Sequence, residues 1–60
     1  MKPNKALKFF KTRKAMGEAA GVTRQSVGAW FKNDIIPVNS AMILATASGG
    51  VLTVDPKLYA

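Results

Sequence analysis

From Thr12 to Trp30, read TRKAMGEAAGVTRQSVGAW, the small and apolar positions fall at the spacings of two short helices joined by a tight turn. Ala15, Met16, Ala19 and Ala20 form a helical run, Gly21 and Val22 follow it, and Thr23 opens a second run containing Val27 and Trp30. Gly21 suits the left-handed residue that ends a helix, while Thr12 and Thr23 each offer a hydroxyl to cap the helix that follows. The pattern therefore predicts one helix over Arg13 to Ala20 and another from Arg24 to about Lys32. In the first, Met16 and Ala20 face inward and Glu18 outward. In the second, Val27, Trp30 and Phe31 form the apolar side, which leaves Arg24, Gln25, Gly28, Ala29 and Lys32 outside.

The flanks extend the helical pattern. Pro3 and Asn4 suit the start of a preceding helix, with Leu7 and Phe10 on its core side and Lys5, Lys8 and Lys11 toward solvent. A membrane-binding amphipathic helix is the rival reading there, but so few apolar residues in so short a segment fit a core better. After Trp30, Asn33-Asp34 ends the helix, and Ile35-Ile36-Pro37 leads extended into the next segment, because proline disfavours helix in the residue before it. Asn39 or Ser40 is the expected cap of a fourth helix ending near Ser48, with Gly49 or Gly50 beyond its last turn and with Val38, Ala41, Met42 and Ala45 on one face. ILATASGGVLTV also reads as two strands around a glycine turn. Residues 49–60 are expected to pack back as one short helical turn, since Leu58-Tyr59 would be out of place in a disordered tail.

Sixty residues suffice for one domain of modest stability. The formal charge of +6 is unevenly spread. Residues 1–32 hold eight of the nine bases against Glu18, a net +7, whereas residues 33–60 hold Lys57 against Asp34 and Asp55, a net −1. A field concentrated on the predicted helix pair suits a polyanion such as duplex nucleic acid, whose phosphates release counterions as lysine and arginine approach. Neither cysteine nor histidine is present, and the three carboxylates are widely spaced, so acid–base, thiol and metal chemistry lack parts. An enzyme is not expected. The absence of cysteine accords with an intracellular setting, and the apolar stretch near the N-terminus is too short for a signal peptide or a membrane span.

Gly17, Gly21, Val22, Val27 and Trp30, with LKFF before them and Ile36-Pro37 and ATASGGVLTVDPKLY after, resemble the helix-turn-helix of DNA-binding repressors, most nearly the short Cro repressors of lambdoid phages in their all-helical branch. In that family a small residue four before the turn glycine lets the helices touch, here Gly17, where alanine is usual. An apolar residue follows the glycine, here Val22, and two more lie six and nine beyond it, here Val27 and Trp30. Lys11 stands where relatives often have glycine. The expected fold is thus all-α, a small five-helix helix-turn-helix domain over residues 1–60. The alternative is α+β, with the helix-turn-helix followed by a C-terminal β-hairpin.

The resemblance implies a transcriptional repressor that lays its recognition helix in the major groove of operator half-sites about 34 Å apart. Thr23, Arg24, Gln25, Ser26, Gly28 and Ala29 are the candidate base contacts. Arginine matches the acceptors of guanine in a fork, glutamine matches adenine, and the small Gly28 and Ala29 allow close approach. Thr12, Arg13, Lys14 and Lys32 are the candidate phosphate contacts. Trp30 is assigned to the core rather than to base stacking. No cofactor, metal or small-molecule ligand is expected. The expected partners are double-stranded operator DNA and a second copy in a weak homodimer strengthened on DNA, formed by the apolar C-terminal half around Ile43, Leu44 and Val51 to Val54. The implied setting is the cytoplasm of a bacterial host cell, at the nucleoid. The rival function is a Cro-like antitoxin or protein-interaction module that also binds DNA.

Overall fold

The computed structural model describes residues 1–59, and Ala60 lies outside the described residues. The fold is all-α, with four helices among the described residues: α1 Pro3–Phe10, α2 Arg13–Ala20, α3 Arg24–Asn33 and α4 Val38–Ala47. The expected fifth helix is a single 3-10 turn, Pro56–Leu58, begun by Pro56 and capped where Lys57 N–H donates to Asp55 Oδ1 at 2.9 Å. Helix α2 packs against each of the other three helices, so it is the centre of a domain measuring 26 × 24 × 18 Å.

Helix α1 starts with Pro3 in its first turn, where a missing N–H costs nothing. Its core stripe is Pro3, Ala6, Leu7 and Phe10, a helical i, i+3, i+4, i+7 set. Only Pro3 and Ala6 are fully buried, and Leu7 and Phe10 are half-buried, because the domain is too small to cover both sides of a short edge helix. The helix ends at Lys11, whose φ of 78° and ψ of −37° lie where a side chain is strained. A glycine there would be free of that strain.

The C-terminal half is helical where the hairpin alternative would have turned. Gly49 and Gly50 have φ of 67° and 90°, and their N–H groups donate back to Thr46 and Ala45 carbonyls at 3.0 and 3.1 Å, so the pair closes α4 instead of joining two strands. Helix α4 also starts earlier than expected. Pro37 stands at its N-cap without a side-chain cap, and Asn39 and Ser40 lie inside the first turn. Its inner face differs too: Ala41, Leu44 and Ser48 are buried, whereas Val38 and Met42 are exposed. Val38–Ala47 contains no charge to mark an outer side, so two apolar stripes were available.

The core unites Met16, Ala20, Val27 and Trp30 with Met1, Ala6, Ile36, Ala41, Leu44 and Leu52. Leu44 and Leu52 therefore cannot belong to a dimer surface. The segment after α4 is held down through Ser48, whose hydroxyl donates to the Ala45 carbonyl at 2.8 Å and accepts from Leu52 N–H at 2.9 Å. Tyr59 closes the fold. Its hydroxyl donates to the Ile36 carbonyl and accepts from the Met1 amine, while Ile36 N–H donates to the Met1 carbonyl at 3.0 Å. Burial at this junction raises the Tyr59 pKa and lowers that of the Met1 amine.

Candidate nucleic-acid interface

The turn between α2 and α3 is built as its residues require. Gly21 adopts φ 71°, ψ 31°, its N–H donates to the Glu18 carbonyl at 3.3 Å, and Val22 N–H donates to the Gly17 carbonyl at 3.0 Å. That pair of bonds satisfies the last carbonyls of α2 in a Schellman motif. Thr12 Oγ1 accepts from Ala15 N–H at 3.1 Å and Thr23 Oγ1 from Ser26 N–H at 3.3 Å, so both expected caps form. The helices then cross at Gly17. A β-carbon there would lie 3.3 Å from both the Val22 carbonyl oxygen and Val27 Cγ2, leaving little room for anything larger than glycine.

This crossing buries Val27 and Trp30 and turns the opposite side of α3 outward. Arg24, Gly28 and Lys32 stand one helical turn apart in one row, with Gln25 and Ala29 in the next. Arg24, Gln25, Ala29 and Lys32 are exposed, and Gly28 is half-buried with open space where a β-carbon would project. Ser26 is half-buried beside the cap, its Oγ 3.3 Å from Thr23 Oγ1, so both hydroxyls are engaged with the helix start. Thr12 and Thr23 are exposed despite capping.

Arg13, Lys14 and Arg24 converge on an open cleft between the start of α2 and the turn, lined also by Gly17, Glu18 and Val22. Glu18 puts one carboxylate among three cations. Among the described residues the one ion pair is Lys2 with Asp34, at 3.0 Å on the exposed surface, so the cations of this cleft have no acid partner. Neither α2 nor α3 has an acid in its first turn. Arg13 instead lies over the Phe31 ring, its guanidinium carbon 4.1 Å from the ring centroid. That contact was not legible in the sequence, because it depends on how the two helices cross. Of the ten site residues expected from the sequence, Arg13 and Lys14 lie in α2's first turn with Thr12 at its N-cap, Arg24, Gln25, Gly28, Ala29 and Lys32 lie on α3's outer side, and Thr23 and Ser26 sit at the capped start of α3; Phe31 meets Arg13 from the apolar side.

No family model matches the chain, and no solved structure matches it. Over 54 residues, 90% of this chain and 70% of the relative, it is 43% identical to the repressor protein of the division inhibition gene dicB of Escherichia coli (strain K12). The chain belongs to that repressor's family. A match of this length takes in all of α2, α3 and α4 wherever its ends fall. Among the described residues no helix is long and apolar enough to cross a membrane.

Proposed function

We propose that this chain is a sequence-specific double-stranded DNA-binding transcriptional repressor of the Cro type, with α3 as the recognition helix. One observation carries the reading: a capped helix pair locked at Gly17 presents Arg24, Gln25, Gly28, Ala29 and Lys32 on one uncovered side, beside a cleft of unpaired cations. A relative named as a repressor supports it. In the major groove Arg24 donates in a fork to guanine, Gln25 pairs with adenine, and Gly28 and Ala29 let the helix approach the bases. Thr23 and Ser26 reach the same groove edge. Thr12, Arg13, Lys14 and Lys32 bind the flanking phosphates and set the register. The reading invokes no cofactor, no small molecule and no catalytic step, and it places the protein in the cytoplasm at the nucleoid.

One such module meets one half-site, so operator binding calls for two copies. The exposed side chains of Met42 and Ile43, next to Thr46 and Ala47, form the uncharged surface on which a second copy would sit. Only a few side chains per copy are available, far fewer than the 20–30 residues a side of a stable interface, so association is weak until DNA joins the two.

Selection from randomised duplex DNA tests the function. A repressor of this kind enriches a two-fold symmetric motif, and Gln25→Ala relaxes it at one base pair per half-site. Recovery of unenriched sequence, with an unrelated small protein co-purifying instead, would favour the antitoxin reading.

A further inference from the structure

Arg13 begins α2, where a cation is opposed by the helix dipole, and among the described residues no acid pairs with it. The partner it does have is aromatic, the Phe31 ring at 4.1 Å. The helix crossing imposes this contact. Gly17 faces Val27 across the interface, and one turn back along α2 and one turn on along α3 bring Arg13 opposite Phe31. Phe31 is half-buried and so held by the core, while Arg13 is exposed. The guanidinium carbon sits over the ring, 4.1 Å from its centroid, and a cation held this way makes no use of its N–H donors in an ion pair, so they stay available to an anion.

We propose that Phe31 is a positioning residue for phosphate binding by Arg13. The ring holds the guanidinium beside Lys14 and the start of α2, so that its fork meets a DNA phosphate without a flexible side chain having to be ordered on binding. The proposal rests on the DNA-binding reading above and adds to it a residue that touches no nucleotide.

A double-mutant cycle in duplex affinity, measured across salt concentrations with the full chain, tests it. In the free protein, the Arg13 side-chain protons should be shifted upfield by the ring and should return to ordinary positions in Phe31→Leu. Phe31→Leu should weaken binding about two- to tenfold, the cost of immobilising one flexible side chain, with the salt slope unchanged because the charge remains. Phe31→Tyr, which keeps a ring, should restore affinity. Arg13→Ala should flatten the salt slope by about one unit, and adding Phe31→Leu to it should cost nothing more. An equal loss in both backgrounds would mean that Phe31 acts only through packing, and the proposal fails. Should Phe31→Leu not fold, Arg13→Lys carries the test: it keeps the charge but lacks the planar fork, so unchanged affinity overturns the proposal. If the wild-type chain, with its ring-shifted Arg13 protons, binds no duplex at all, the DNA-binding reading itself is overturned and the proposal goes with it.

Discussion

Gly28→Ala separates what α3 needs as a helix from what it needs as a recognition surface. Glycine inside a helix is less favourable than alanine by about 0.8–1.0 kcal/mol. At Gly28 nothing offsets that within the domain, since a β-carbon built there meets nothing within 4 Å beyond its chain neighbours and the backbone of its own helix. The substitution should therefore stabilise the free protein by about 1 kcal/mol, raising Tm by about 4–8 °C in a domain of this size. Gly17→Ala is the internal control. There the same gain is opposed by contacts of 3.3 Å with a backbone oxygen and with Val27, which is fully buried, so its net effect should fall well below that of Gly28→Ala. On DNA the expectation for Gly28→Ala reverses. Its methyl would stand between Arg24 and Lys32 and hold the helix off the base edges, where one bidentate contact contributes about 1–3 kcal/mol. Operator affinity should fall about tenfold or more while binding to random duplex changes little. Thermal melts and fluorescence anisotropy on both duplexes measure the two effects. A stabilised Gly28→Ala protein with undiminished operator affinity would refute the assignment of this side of α3 to the groove.

Three further outcomes are expected. Trp30→Ala should unfold or severely weaken the domain by circular dichroism, since truncating a buried aromatic costs about 3–5 kcal/mol, a large part of the about 3–9 kcal/mol that 60 residues at about 0.05–0.15 kcal/mol each supply. Lys14→Ala should lower affinity equally for operator and random duplex and flatten the salt dependence by about one unit, which a salt titration of both complexes would reveal. Tyr59→Phe removes the hydroxyl joining Ile36 and Met1 and should cost about 0.5–1.5 kcal/mol in denaturant melts. Because burial raises the Tyr59 pKa above its ordinary value of 10.0, its contribution is fully present below that pH and is lost as pH rises through the raised value; Tyr59→Phe should lack this alkaline loss.

The helix-turn-helix was legible because its determinants are local. Thr12, Gly21 and Thr23 each act on backbone groups within a few residues, and all three form the bonds their types suggest. The outer row of α3 followed from the position of Val27 and Trp30, which helical geometry converts directly into an opposite side. Helix α4 was harder, since an uncharged apolar segment carries no mark of which stripe faces in. There the contest between Met42 and Leu44 was settled by contact with α2, which no periodicity records. Met1 and Leu52 entered the core for a similar reason: each lies outside the helices, where no periodicity marks it, and is held in place by a bond, Met1 to Ile36 and Leu52 to Ser48. The pairing of Arg13 with Phe31 needed the crossing angle, which follows from Gly17 only once both helices exist.

Departures from local preference have different standing once the packing is known. Gly17 is accounted for inside the domain, because the contacts of 3.3 Å at the crossing leave no room for a free choice of residue. Gly28 has no such account: it weakens a helix and relieves no clash. Arg13 and Lys14 likewise put two positive charges on the unfavourable end of α2, whose first turn has no acid, and the Phe31 ring under Arg13 and the single Glu18 carboxylate in the cleft offset them only in part. Costs that the folded chain does not recover internally point to something outside it. The two costs also agree in kind, since a helix face stripped of side chain admits a close neighbour and cations at a helix start attract an anion. A surface that must approach base edges closely while gripping the phosphates beside them asks for both at once. A partner recognised through apolar contact would ask for neither, and this is why the proposed duplex DNA accounts for the α2–α3 side better than a protein partner would, while on the same proposal the uncharged side of α4 is the one open to a second copy of the chain.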